Sequence, residues 1–264
     1  MQGPELRIGV LIEPVRLQEG GLVTLGDGGI PLPREVLREI DAGQELLLDD
    51  GRLLLRAESP QLARVLRGGL LQSRKSVALP GRKIHLPALT EQDRENIRLA
   101  SSYGVTGLMQ PFVRSREDLR QVRAALDSAG GEGIRLFAKI ENWEGVARLE
   151  ELLPAADEIV IARGDLGNAV TLPELPGVQM HLAGLCRRAK KPCMVVTQML
   201  ASMEHNPVPT RAEVSDIFNA VLDGASSLML TGETAQGRYP AEAIGILAET
   251  ALAAERYLAG NGKI

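Results

Sequence analysis

IRLFAKIEN at residues 134–142 and EIVIARGDLG at residues 158–167 decide the reading of this chain. Each is a short, almost continuous apolar run that ends abruptly in charge. Runs of that kind are expected of strands covered on both faces, as in parallel sheets. The pattern recurs outward, at VTGLM (105–109), CMVVT (193–197) and SLMLT (227–231). The starts lie roughly 25–35 residues apart, which leaves room for one helix between strands. The intervening text carries helix-start signals. Thr90-x-x-Asp93 and Ser115-x-x-Asp118 are capping patterns, and Thr210-x-x-Glu213 behind Pro209 is a capping box whose helix Gly224 would end. Repeated βα units with no GxGxxG after a strand predict an α/β fold of the (β/α) TIM-barrel type ahead of a dinucleotide-binding sheet.

Before residue 87 the text changes. LRIGVLI (6–12), ELLL (45–48) and RLLLRA (52–57) predict strands, with DDG (49–51) as a hairpin turn. The expected organisation is a barrel made of residues 1–12 and 87–264, incomplete at its N-terminus, with a small β-rich domain inserted over 13–86.

Composition narrows the function. The 264 residues hold 30 Lys+Arg against 34 Asp+Glu, a net charge of −4, so a general basic-surface nucleic-acid binder is disfavoured. The two cysteines, Cys186 and Cys193, cannot form a disulfide framework, which suits a reducing compartment. The first residues carry no leader pattern, and no apolar run approaches the ~20 residues that span a bilayer. A cytoplasmic enzyme without nucleic-acid or membrane partners is expected. His85, His181 and His205 lack metal-ligand spacing, and Trp143 is expected to pack at the top of a helix.

In a βα barrel, reactive residues sit at the C-terminal ends of strands. Lys139 and Glu141 are two apart and share one side of their strand. They make either a structural salt bridge or a metal-holding carboxylate with a cation that stabilises a developing anion. Asp165 follows the next strand, with Gly164 allowing close backbone approach; it is either a helix cap or a second metal ligand. Two carboxylates ending neighbouring strands suit Mg²⁺ or Mn²⁺, which keep coordination positions for substrate and water. Thr197 in VVTQM could donate to a substrate carboxylate, and Thr231 and Glu233 in LTGET share one side.

These motifs together resemble a known family. AKIENWEGV, IARGDLG, VVTQMLASM, NPVPTRAEVSDIFNAVLDG and MLTGETAQGRYPAEA, in order and at matching spacing, are similar to the barrel of pyruvate kinase. QGPELRIG, DDGRLLLR and GGLLQSRKSVALPGRKIHLPALTEQD resemble the entry to and exit from that family's inserted B domain. The resemblance implies roles residue by residue. Lys139 corresponds to the catalytic lysine, and Thr197 joins it in the catalytic set. Glu141 and Asp165 correspond to the ligands of the divalent cation. Gly164, Asp165, Thr197 and Thr231 correspond to the pocket for phosphoenolpyruvate or pyruvate, Thr231 replacing the family's usual Ser. Arg7 and Lys75 correspond to contacts with ADP or ATP.

The chain also departs from the family. Two strands that precede QGPELRIG, with a phosphate-gripping Arg and the Asn and Ser of a K⁺ site, have no counterpart, so K⁺ is not expected. A C-terminal domain has none either, and Gln110-Pro111 replaces small residues and a Ser. The first expectation is a metal-dependent, pyruvate kinase-like transferase forming a homo-oligomer. The alternatives are decarboxylation, aldol cleavage or enolisation of a 2-oxo acid at the same metal, or a non-catalytic binding or assembly protein.

Overall fold

The computed structural model describes residues 1, 3, 5–49, 51–82, 84 and 86–260. The expected turn residue Asp50 and His85 lie outside them. The chain forms two compact units, Pro4–Pro87 and Met1–Gly3 with Ala88–Ile264.

The first unit contains β1 (Val15–Leu17), β2 (Leu22–Thr24), α1 (Arg34–Leu37), β3 (Glu45–Leu48), β4 (Leu53–Ser59), β5 (Leu62–Arg67), β6 (Gly69–Leu71) and β7 (Val77–Ala78). β1 pairs with β6, and the other five make an antiparallel sheet in the order β2-β5-β4-β3-β7. Alternation sets which face is buried: Leu46, Leu48, Leu55 and Ala63 are fully buried, and each buried Leu contributes about 1.5–3 kcal/mol. Between β3 and β4, Asp49 (φ 50°) and Gly51 (φ 77°) take the left-handed backbone that a tight hairpin requires.

The expected strand over 6–12 does not form. Arg7 makes one isolated bridge to Ser76, and Gly9 donates to the Pro31 carbonyl instead of to a ladder. A Cβ at Gly9 would stand 3.1 Å from Pro31 Cβ, a tight contact to which the proline would have to yield. Ile8 is buried in the core of the β-rich unit with Leu25 and Leu48. Residues 5–12 therefore belong with that unit and not with the βα unit where the sequence reading put them.

The second unit runs α2 (Glu91–Ala100), β8 (Gly107–Gln110), α3 (Arg116–Ser128), β9 (Arg135–Ile140), α4 (Trp143–Ala147), α5 (Leu149–Leu152), β10 (Glu158–Ala162), α6 (Arg163–Ala169), α7 (Leu175–Arg188), β11 (Cys193–Val196), α8 (Arg211–Asp223), β12 (Ser227–Met229), α9 (Gly232–Ala235) and α10 (Pro240–Ala259). Its five strands are parallel and paired in chain order, β8-β9-β10-β11-β12. The sheet is open, with β8 and β12 at its edges, and no closed barrel forms among the described residues.

Capping follows the sequence signals. Thr90 and Thr210 each close a capping box, with Asp93 and Glu213, and Ser115 accepts from the Asp118 N–H. Gly224 ends α8 at φ 112°. Leu136, Ala138, Ile140, Ile159, Ile161 and Val195 pack against the helices. The opposite face of the sheet carries Val160, Ala162 and Val196, with Met109, Phe137, Met194 and Met229 half-buried around them. Trp143 does not pack into the core; it is 58 % exposed. Gly145 faces inward in its place, where a Cβ would lie 2.6 Å from the Val113 carbonyl oxygen. Among the described residues no helix is long and apolar enough to cross a membrane.

Candidate functional site

Lys139 and Glu141 come off the C-terminal end of β9 on the face opposite the helices, because Lys139 pairs in register with Val160 of that face. The Lys139 ammonium lies 2.6 Å from Glu141 Oε1. Glu141 is buried, and its Oε2 accepts a 2.8 Å hydrogen bond from the Phe112 N–H. Phe112 reaches that position at φ 51°, a left-handed backbone just beyond β8. The ammonium is close but not aligned as a donor, so among the described residues Oε1 accepts no hydrogen bond. A buried carboxylate oxygen in that state is suited to a cation.

Asp165 is not a helix cap. α6 begins two residues earlier at Arg163, its N-cap is Ala162 with no side-chain bond, and Asp165 sits within the first turn. Glu141 and Asp165 therefore follow the ends of adjacent strands β9 and β10. Gly164 is where β11 approaches: a Cβ there would lie 3.0 Å from Thr197 Cγ2 and 3.7 Å from its hydroxyl oxygen. A larger residue would push Thr197 away. Thr197 (φ 82°) and Gln198 (φ 56°) are consecutive left-handed residues, each costing on the order of 1–3 kcal/mol that its surroundings must offset. Gly164 and Thr197 thus meet in a small corner beside the Ala162–Val196 pairing, with Asp165 next in sequence in the first turn of α6.

Arg163 and Glu233 maintain that corner. Arg163 Nε and Nη2 donate to the Thr197 carbonyl at 3.1 and 2.8 Å. Its Nη1 donates to both Asp216 oxygens on α8 at 2.8 and 2.6 Å. The Glu233 carboxylate, buried at the start of α9, accepts from the Leu200 N–H at 3.0 Å and the Thr231 N–H at 2.8 Å. The Thr231 hydroxyl also turns towards Glu233, at 3.4 Å. Sequence reasoning noted Glu233 only as a neighbour of Thr231, and it missed Arg163, Asp216 and the Phe112 N–H. A readable signal existed for Arg163 alone, since a charge directly behind the apolar run EIVIA needs a partner.

Arg7 and Lys75 lie in the β-rich unit. Arg7 pairs with Glu5 at 2.5 Å and donates to the Arg74 carbonyl at 2.8 Å; Lys75 pairs with Asp49 at 2.8 Å. Cys186 and Cys193 are buried and free, and the neighbouring Cys193 thiol, with burial adding to it, pushes the Cys186 thiol up. His181 lines a surface groove of about 860 Å³ between α4, α5 and α7, with Trp143 at its lip.

Among the described residues no group of three or more His, Cys, Asp or Glu side chains forms a metal cage. A site for a hard divalent cation does not need one. Mg²⁺ binds through one or two carboxylates and keeps the remaining positions for water and phosphate oxygens. Glu141, with one buried oxygen that accepts no hydrogen bond among the described residues, and Asp165 fit that requirement.

A family model described as pyruvate kinase, barrel domain, matches residues 31–244. The chain belongs to the pyruvate kinase family. It is 42 % identical over 266 residues to the pyruvate kinase of Aeropyrum pernix, covering 98 % of this chain and 58 % of that protein. Against the pyruvate kinase of Geobacillus stearothermophilus it is 38 % identical over 272 residues, covering 97 % and 46 %. Against pyruvate kinase 1 of Saccharomyces cerevisiae it is 40 % identical over 231 residues, covering 86 % and 46 %. The chain spans about half the length of the curated relatives it matches. The stretch matched to the pyruvate kinase model contains Lys75, Lys139, Glu141, Gly164, Asp165, Thr197 and Thr231; Arg7 lies before it.

Proposed function

We propose that this chain carries out pyruvate kinase-type phosphoryl transfer between phosphoenolpyruvate and ADP. The observation that carries the reading is the Lys139–Glu141 pair, with a buried Glu141 oxygen that accepts no hydrogen bond among the described residues, in a chain of this family. Strands β8–β12 are read as five consecutive strands of a (β/α) barrel, with the β-rich unit as its inserted domain. The reaction breaks the bond between phosphorus and the enol oxygen and forms one to a terminal phosphate oxygen of ADP. The enolate left behind takes a proton at its methylene carbon to give pyruvate.

Glu141 and Asp165 would hold Mg²⁺ or Mn²⁺, which would supply positive charge against the charge that develops during transfer. Lys139 presents its ammonium to the same developing charge. Glu141 keeps the ammonium at the strand end when no anion is bound. Gly164 leaves space for the Thr197 hydroxyl, which bonds the substrate carboxylate and stands beside the reacting carbon. Arg7 and Lys75 engage nucleotide phosphate. The setting is cytoplasmic and the assembly a homo-oligomer.

A coupled assay with phosphoenolpyruvate, ADP and Mg²⁺ tests the reading. Turnover is expected, and background rates both with and without K⁺ would refute the kinase assignment. Mg²⁺-dependent exchange of pyruvate methyl protons with D₂O is expected as well, and Lys139→Ala should abolish it. Exchange without kinase turnover would favour simple enolisation.

A further inference from the structure

Resting on the reading above, we propose that Arg163 is a positioning residue: it fixes the left-handed turn that aims the Thr197 hydroxyl, and Asp216 anchors it for that purpose. The side chain leaves the end of β10 towards the helices, on the opposite side from the polar corner. It is only 11 % exposed. All three of its nitrogens are used. Nε and Nη2 converge on one acceptor, the Thr197 carbonyl, while Nη1 engages Asp216 on α8 and lies 3.4 Å from Gln179 Oε1 on α7. Gln179 in turn donates to Asp223 at 3.1 Å, so the guanidinium is braced from two helices.

Two N–H groups of one buried cation fill both lone pairs of the Thr197 carbonyl, while Nη2 also lies 2.8 Å from Met199 Sδ and Nη1 pairs with Asp216, so the orientation of that carbonyl is set by a side chain that is itself held. The carbonyl belongs to the first of two non-glycine residues held at positive φ, and turning it away from Arg163 would also swing the Thr197 side chain off Gly164. Arg163, Gly164 and Asp165 are consecutive, so the first turn of α6 carries the brace, the space and the carboxylate of the corner together. Lysine cannot replace this fork: one ammonium cannot grip the carbonyl from two nitrogens while also pairing with Asp216.

The test is a mutant cycle on the full chain with Arg163→Lys, Thr197→Val and the double variant. Arg163→Lys should lower kcat/KM for phosphoenolpyruvate about ten- to a hundredfold. In the double variant it should add less than about twofold to the Thr197→Val loss, because both changes remove the same aimed hydroxyl. Losses that multiply, or unchanged activity in Arg163→Lys, would overturn the proposal. Asp216→Asn, which leaves the guanidinium in place without its anchor, should give a smaller loss in the same direction and guards against a folding defect in the first variant. A crystal structure of Arg163→Lys supplies a readout independent of turnover. The Thr197–Gln198 turn should leave positive φ, and an unchanged turn overturns the proposal. If the unmodified chain shows no turnover, the kinase reading fails and that crystal structure alone decides the role of Arg163.

Discussion

Glu141 is the residue on which the candidate site turns. One carboxylate oxygen is held by a backbone N–H, and the other lies against the Lys139 ammonium and accepts no hydrogen bond among the described residues. Replacing it with the isosteric amide keeps an acceptor for Phe112 but removes the charge a hard cation requires. In Glu141→Gln, Mn²⁺ with oxalate should no longer raise the melting temperature, whereas the unmodified chain should gain several degrees. Full retention of the gain, read by differential scanning fluorimetry, would move the metal elsewhere. Lys139, Glu141, Asp165 and Thr197 were readable as candidates because each lies at or just beyond the end of an apolar strand. The Thr197 carbonyl brace was not, because Arg163, Thr197 and Asp216 are distant in sequence and positive φ in a threonine leaves no compositional trace.

Among the elements, α8 shows how a cap can do two tasks. Glu213 closes the capping box on Thr210 and also accepts from the Ser202 N–H at 2.7 Å and the Ser202 hydroxyl at 2.6 Å, tying down the loop after β11. Burial pushes its carboxyl up, but the hydrogen bonds from Ser202 and Thr210 outweigh this and leave it below its ordinary value. A depressed folded value means the stabilisation is present above the unfolded value of about 4.3 and is lost as pH falls through the folded one. Glu213→Gln should therefore flatten the acid limb of a stability-against-pH curve measured by urea unfolding, and an unaltered acid limb would contradict this. The elements themselves were legible where periodicity and caps agreed, as in β9, β10 and α8. Leu6–Ile12 misled because its apolar run suggests a strand, yet Val10 and Ile12 are 67 % and 106 % exposed. Its backbone bonds go to the Pro31 loop and to the segment around residue 75, which alternation cannot disclose.

The whole molecule has two main hydrophobic cores, one in each unit. Leu46 is fully buried in the β-rich core, and Leu46→Ala should cost that core about 2–5 kcal/mol. Trp143, the single tryptophan, belongs to the βα unit. Urea unfolding of Leu46→Ala should then show an early circular-dichroism transition while the Trp143 fluorescence midpoint stays in place. A joint shift of both signals would mean that the two cores unfold as one. The two-part division was legible from the change of text near residue 87, whereas closure of a barrel could not be read from strand count alone.

The chain-order pairing of β8 to β12 also bears on how the βα unit is made. Each strand finds its partner in the strand synthesised just before it, as Lys139 meets Val160 and Ile159 meets Cys193. No strand has to wait for a distant one, and lengthening the intervening loop adds closure entropy only slowly. The sheet can therefore be laid down in the direction of translation, one βα step at a time, growing from the β8 edge towards β12.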